Sequence, residues 1–327
     1  MRGKRLTLVN AVKVAIVVAA ATCAGGAVLA LGGVVNPKLD LLAHFAPLWL
    51  LGCAGTLLLS ASANEPFRAA GMLLSSVGIL AAATLMAPEV LRSAGPQAPA
   101  SAPGQLKIVQ FNVWRENRDV RNTVEWLANQ HADIMILEET TPEMQALLKA
   151  QPGWQLSCQF CKTVIVSQLP YRRPKLRRTN EERTVVSVSM AQGIFEDQHG
   201  TFAVLAAHNG WPTDWKQQSL QEEYVAKNVG RYPTERTILA GDFNSTPWSF
   251  SRRAWDHRFG LIRRERGVFS WPAGGLGGLG AKLPFPLLPI DHLYAGSGWA
   301  TVSVRRGPKL SSDHYPLVVI LAPVAPR

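Results

Sequence analysis

The chain has 327 residues, 47% of them apolar, and a formal net charge of +11. That length holds one large domain plus something else, and the mean hydropathy of +0.05 is high for a soluble enzyme. Four cysteines fall two and two; the Cys158-x-x-Cys161 pair has no second pair and no nearby histidines, which makes a poor zinc site.

The apolar excess sits at the front. Ala11 to Val35 carries one charge, Lys13; Leu41 to Ala63 has none apart from what His44 takes up; Ala69 to Ala87 has none. At 1.5 Å per residue these stretches approach or reach the roughly 30 Å of a bilayer core. We therefore expect a membrane anchor over residues 1–92 with three transmembrane helices, about 11–35, 41–63 and 68–87. A cleaved signal peptide competes for the first stretch and a buried helix for the third. Arg2, Lys4, Arg5 and Lys13 flank the first span. By the positive-inside tendency they place that end in the cytoplasm, so three crossings put the rest of the chain outside it. Cys23 and Cys53 lie within the apolar spans as packing residues.

Ser93 to Gly104 is built of small residues and prolines that cannot form a core, so 93–104 reads as an extended linker and 105–327 as a second domain. Seven Lys/Arg against three Asp/Glu up to Gly104 give +4, leaving +7 for the second domain. That surplus suits an anionic substrate or an anionic membrane surface, and plain solubility accounts for it equally well. For a domain exported from the cell, Cys158 and Cys161 suit a small local disulfide, with two reduced bystanders as the alternative.

From Leu106 to Val113 apolar and polar residues alternate, predicting a strand that ends near Asn112. Val120, Val124 and Leu127 have helical spacing behind a capping Asp119. Asp133 to Glu139 reads as a buried strand delivering an acid at its tip, and Thr141-Pro142-Glu143 opens a further helix. Lys162–Ser167, Thr184–Met190 and Thr201–Ala207 are strand-like, the last running into His208. A helix is expected from about Asp214 to Val229. Then comes Thr237-Ile238-Leu239-Ala240-Gly241-Asp242-Phe243-Asn244, where Asp242 and Asn244, two apart, point to one side of an extended chain. Read alone, the tetrapeptide Gly241-Asp242-Phe243-Asn244 could equally be a surface turn. Leu287–Tyr294 and Leu310–Ile320 each combine an acid, a histidine and apolar strand residues. Helices interleaved with short strands predict an α/β layered domain.

Asn112, Glu139, His208, Asp242 with Asn244, Asp291, and Asp313 with His314 all follow or end predicted strands. In this order, and above all in Gly241-Asp242-Phe243-Asn244 and Ser312-Asp313-His314-Tyr315-Pro316, the domain resembles the endonuclease/exonuclease/phosphatase superfamily over residues 106–320. The resemblance implies a DNase I-like fold, with two packed mixed β-sheets flanked by helices in a four-layer sandwich. It also implies phosphoester hydrolysis at a divalent metal, Mg²⁺ with Mn²⁺ as the alternative, an ion that favours carboxylate, water and phosphate oxygens. Glu139 would be the main metal ligand, with Asn112 and Asp313 contributing. Asp242 would orient or deprotonate water, Asn244 would hold a phosphate oxygen, and His314, fixed by Asp291, would stabilise phosphoryl charge. His208 matches a histidine that assists the leaving group, and abasic-site endonucleases generally lack it. Glu138 stands where a glutamine often precedes the metal-binding Glu; it is expected to be tolerated while adding negative charge.

Three spans ahead of such a domain resemble the bacterial membrane-anchored members linked to teicoplanin resistance. This implies an anionic, phosphate-bearing and lipid-linked substrate at the bilayer, with nucleic acid as the second candidate; no protein partner can be inferred. The basic segment Arg172, Arg173, Lys175, Arg177 and Arg178 reads as a solvated loop or as a headgroup contact. The Gly-rich stretch from Phe269 to Phe285, with Trp271, Leu276 and Leu279, reads as a lip for a lipid substrate or as packing at a sheet edge.

Overall fold

A computed structural model describes residues 2–174, 189–274 and 284–324. Lys175, Arg177 and Arg178 of the basic segment, most of the strand expected at 184–190, and Leu276 and Leu279 of the Gly-rich stretch lie outside these residues. The chain divides into two compact units, 1–92 with 246–253, and 93–245 with 254–327.

The first unit is helical: α1 (Arg2–Leu31), α2 (Pro37–Ala43), α3 (Ala46–Ala61) and α4 (Phe67–Leu91). Two helical stretches, Asn10–Val34 and Phe67–Leu91, are long and apolar enough to cross a membrane. The stretch expected as a single span over 41–63 is instead broken, because α2 and α3 meet at 57°; the pair counts as a third crossing only if taken as one bent span. Pro47 stands at the start of α3, where it donates no N–H and disfavours a helical residue before it, which accounts for the break. Small residues bring the helices together: a Cβ on Gly78 would overlap Cys53 Sγ and come within 2.9 Å of Ala24 Cα.

Two buried residues of this unit, Asp40 and His44, accept hydrogen bonds from the segment 246–253. Asp40 accepts from Phe250 N (2.7 Å), Ser251 N (2.9 Å) and Ser251 Oγ (2.6 Å), capping the first turn of a helix that begins at Phe250. His44 Nδ1 accepts from Thr246 N at 3.1 Å, and the His44 carbonyl accepts from Trp248 Nε1 at 3.0 Å.

The second unit contains two sheets. One has the order β10-β11-β1-β2-β4-β3, with β1 Leu106–Asn112, β2 Ile134–Glu138, β3 Gln155–Leu156, β4 Val164–Ser167, β10 Trp299–Arg306 and β11 Leu317–Pro323. The other has the order β5-β6-β7-β9-β8, with β5 Ser189–Asp197, β6 Gly200–His208, β7 Thr237–Asp242, β8 Ile262–Arg263 and β9 Asp291–Ala295. Both mix parallel and antiparallel pairs: β1 runs parallel to β2 and antiparallel to β11, and β7 parallel to β6 and antiparallel to β9.

Period-2 alternation builds the layers. Ile108, Ile134, Ile136, Val204, Ala206, Ile238, Ala240 and Leu293 share one buried cluster between the sheets. The intervening residues face outward. Val109, Phe111, Met135 and Leu137 pack with Val124 and Leu127 of α5 (Val120–Asn129) and Leu148 of α6 (Pro142–Lys149). Leu205, Leu239, Phe243 and Tyr294 pack with Tyr224 and Val225 of α7 (Trp215–Val229) and Phe259 at the end of α8 (Phe250–Phe259). The result is the expected four-layer sandwich. Residues 93–104, expected as a linker, cluster with this unit, and Gln97 makes a parallel bridge to Thr301.

Gly241 is required by close approach rather than by a turn. A Cβ there would overlap the carbonyl oxygen of Ala207 on the neighbouring strand β6. Gly241→Ala is therefore expected to cost about 3 kcal/mol of stability, the upper range for overpacking a core. Denaturant melting of the purified variant checks this, and an unchanged midpoint would show that β6 and β7 can part at no cost.

Candidate active site

The inward-facing row that supplies apolar residues in the middle of the sandwich ends in polar ones. On β1, Gln110 and Asn112 continue the face of Ile108; on β2, Glu138 continues that of Ile136; on β6, His208 follows Ala206; on β7, Asp242 follows Ala240; and on β9, Asp291 precedes Leu293. Glu139, the residue after β2, has φ 57° and leaves the strand register there. That left-handed step directs its carboxylate to Asn112, although a strict alternation would send it away.

Hydrogen bonds tie the row together across the two sheets. Asn112 Nδ2 donates to Glu139 Oε1 at 3.2 Å and to Asp242 Oδ2 at 3.0 Å, while its Oδ1 accepts from Trp114 N at 3.0 Å. Arg115 N donates to Glu139 Oε2 at 3.2 Å. Asp242 Oδ1 accepts from Asn244 N at 2.9 Å, and Asn244 Nδ2 donates to Asn209 O at 2.9 Å. His314 Nδ1 lies 2.7 Å from Asp291 Oδ2, and His314 Nε2 3.6 Å from Asp242 Oδ2. His208 Nε2 sits 3.8 Å from Glu139 Oε1 and 3.7 Å from Asp242 Oδ2. Trp271 Nε1 donates to Asp313 Oδ2 at 3.2 Å.

Glu139, His208, Asp242, Asn244, Asp313 and His314 line one cavity of about 1030 Å³, bordered by Trp114, Phe160 and Trp211. Asn112 and Asp291 stand directly behind them, bonded to Glu139, Asp242 and His314. All eight residues named from the sequence therefore meet in one place.

The electrostatics divide these groups. Burial disfavours a charged His314, but the carboxylates of Asp291, Asp242 and Asp313 outweigh it and push its pKa up to about 10. Burial would raise Asp291, yet the His314 charge and hydrogen bonds from His314, Ser270 and Gln110 hold it below its ordinary value. Asp242 is raised by burial, with His314 opposing and Asp291 adding to the shift. Glu139 resists its burial through bonds from Asn112 and Arg115 N and the nearby histidines, and is lowered. Burial first, then the charges of Asp291 and Asp242, hold Glu138 well above the usual carboxylate range.

The sequence model of the Endonuclease/Exonuclease/phosphatase family matches residues 109–314, well over half the chain. The chain belongs to this family. No curated protein matches it. Among solved structures it resembles the endonuclease/exonuclease/phosphatase of Bacteroides vulgatus, at 12% identity and TM-score 0.54, covering 67% of this chain and 99% of that one. SmcL aligns at 15% identity and TM-score 0.51, covering 67% and 99%. The mannosyl-6-phosphatase Bt3783 of Bacteroides thetaiotaomicron aligns at 14% and 0.51, covering 66% and 99%. At such identities these likenesses show the fold alone.

Members of the endonuclease/exonuclease/phosphatase family are phosphoester hydrolases and typically use divalent metals. The donors present fit a hard cation. Asp313 Oδ1 is buried with no hydrogen-bond partner among the described residues, and the Glu139 carboxylate lines the same cavity, whereas Asn112, also expected as a ligand, turns its Nδ2 to Glu139 and its Oδ1 to Trp114 N. Asp242, Asp291 and His314 also have the spacing of a metal group. There, however, His314 Nδ1 is committed to Asp291 at 2.7 Å, so we read the trio as an acid–imidazole relay.

Sequence reasoning missed Gln110, whose Nε2 bridges Glu138 Oε2 (3.1 Å) and Asp291 Oδ1 (2.7 Å). Its position two before Asn112, on the same face of the strand, was the available signal. Asn244 also behaves differently from expectation. Its Nδ2 hydrogens go to Asn209 O and Asp242 Oδ2, so it orients Asp242 where a donor to phosphate was anticipated.

Proposed function

We propose that this protein is a membrane-anchored, metal-dependent phosphoesterase that cleaves a phosphate ester or pyrophosphate carried on a lipid, at the extracytoplasmic face. The observation that carries the chemistry is the buried Asp242 carboxylate. Asn112 and Asn244 hold it in one orientation, it faces the cavity, and a charged His314 stands 3.6 Å away. In this reading Asp242 accepts a proton from the attacking water as its oxygen bonds to phosphorus. His314, protonated and fixed by Asp291, offsets the charge that develops on the phosphoryl oxygens. His208, at the cavity wall, donates to the departing oxygen as its bond to phosphorus breaks. Glu139 and Asp313 would hold Mg²⁺ or Mn²⁺, which supplies charge stabilisation and an acidified bound water.

The lipid-linked substrate is supported by apolar surface beside this machinery. Phe160 is 74% exposed at φ 67°, next to Cys161 of the Cys158–Cys161 disulfide. Gln145 secures that turn, accepting from Phe160 N at 2.8 Å and donating to Cys161 O at 2.6 Å. Trp211, 49% exposed, meets Trp271 edge to face at 5.3 Å between centroids. Aromatic walls beside a phosphate site suit an apolar alcohol, and the apolar helices of the first unit would keep the enzyme at the bilayer holding it. The Arg2, Lys4 and Arg5 end supports the orientation. A membrane-tethered nuclease is the second reading, favoured by the net charge.

The test is phosphate release from undecaprenyl pyrophosphate by detergent-purified full-length protein, with plasmid nicking in parallel. Release is expected with Mg²⁺, lost with EDTA and restored by returning the ion. Nicking without release would move the assignment to a nuclease, and activity unaffected by EDTA would remove the metal from it.

A further inference from the structure

Asp291 and His292 are adjacent on β9 and point to opposite sides of the sheet. Asp291 faces inward and fixes His314. His292 faces outward, fully buried, near Phe243 (5.8 Å between centroids) and Tyr294 (6.1 Å). Its ring is held at both ends. Nδ1 lies 2.7 Å from Glu265 Oε1, and Nε2 lies 2.8 Å from the carbonyl oxygen of Ser245. A carbonyl can only accept, so Nε2 carries a hydrogen and donates it. Glu265 is itself anchored, because Oε2 accepts from Leu293 N at 3.0 Å and Arg263 Nη1 stands 3.7 Å from Oε1.

Ser245 directly follows Asn244, which has φ 49° and whose N–H donates to Asp242. Turning the chain with a non-glycine residue in the left-handed region requires surroundings that enforce it. An outward-facing position among aromatic rings would be filled as well by leucine or phenylalanine if packing were its whole purpose. A buried imidazole oriented by a buried carboxylate is a costly replacement for that, and its far nitrogen ends on the backbone of the turn that carries Asp242.

We infer that His292, oriented by Glu265, is a positioning residue for hydrolysis. It fixes the Ser245 carbonyl, and through it the 241–245 turn that aims Asp242 and Asn244. The strand β9 thereby serves the site from both faces, with one carboxylate–imidazole couple on each. This rests on the reading of Asp242 as the group that receives the water proton.

The test compares two amide variants in the full-length protein. The amide nitrogen of glutamine can take the place of His292 Nε2, whereas that of asparagine takes the place of Nδ1 and stops short of Ser245. His292→Asn is therefore expected to lower kcat by up to about 100-fold at unchanged KM, the scale of a small misplacement of reacting groups. His292→Gln is expected to recover most of it, with both variants melting alike. Equal kcat in the two variants would overturn the inference. A second readout needs no substrate: the Asn244 backbone amide resonance should move in His292→Asn and stay in place in His292→Gln. If it stays in place in both, the inference fails whatever the enzyme hydrolyses. Absence of turnover in the wild type, with the resonance behaving as expected, would instead count against the phosphoesterase reading alone.

Discussion

Replacing Asp242 by alanine is expected to lower kcat by at least about 10⁴-fold, the scale seen when a group that works as part of a catalytic unit is deleted. The carboxylate is 1% exposed and receives hydrogen bonds from Asn112 Nδ2 and Asn244 N. The neighbouring carboxylates are held by other groups. Glu139 occupies a different bond set with Arg115 N, Asp291 is engaged by His314 and Gln110, Glu138 accepts from Gln110, and Asp313 accepts from Trp271. Alanine also leaves the buried donors of Asn112 and Asn244 without their acceptor, at a cost of about 1–3 kcal/mol of stability. Asp242→Asn, of the same shape, guards against a trivial folding loss. Phosphate release and a melting curve on both variants are the measurements, and full activity in either one would end the assignment.

The second large effect concerns His314 and Asp291. His314→Ala should reduce kcat by about 10²–10³-fold, as removal of a preorganised charge-stabilising donor does. The pair also sets a pH window for stability. His314 is raised in the folded protein to about 10, so its contribution is complete below the unfolded value of about 6.5 and is lost as pH rises through about 10. Asp291 is lowered, so its contribution is present above the unfolded value of about 3.9 and is lost as pH falls through its depressed folded value. Asp291→Asn should therefore be most destabilised relative to wild type around neutral pH, and the gap should close above about pH 10. Melting temperatures of both proteins from pH 5 to 11 decide this. A gap as wide at pH 11 as at pH 7 would mean that the ion pair is not its source.

Much of the sandwich and of its polar end can be read from the sequence, for a local reason. Ile108, Gln110 and Asn112, or Ile238, Ala240 and Asp242, lie two apart on strands, so one face of each strand states both the core and the site that ends it. What could not be read depends on partners distant in the chain or on a single backbone torsion. Glu139 reaches Asn112 only through its left-handed φ, which nothing in Glu-Glu-Thr announces. Glu265 and His292, 27 residues apart, meet only because β9 turns His292 outward. The short strands β3 and β8 have two residues each, too few to show a period. The break between α2 and α3 lies inside a stretch whose hydropathy is continuous, so composition described a span where Pro47 interrupts the helix.

The chain enters the helical unit twice, first through residue 92 and again over 246–253. Asp40 and His44 receive that returning segment with at least four hydrogen bonds. Severing the peptide in the 93–104 stretch would leave both fragments in the helical unit, one of them by its eight returning residues. A gene segment cut at residue 105 would encode a hydrolase missing the acceptors for its own loop. Removing residues 1–92 is therefore expected to leave residues 246–253 without Asp40 and His44, the acceptors of their backbone hydrogens.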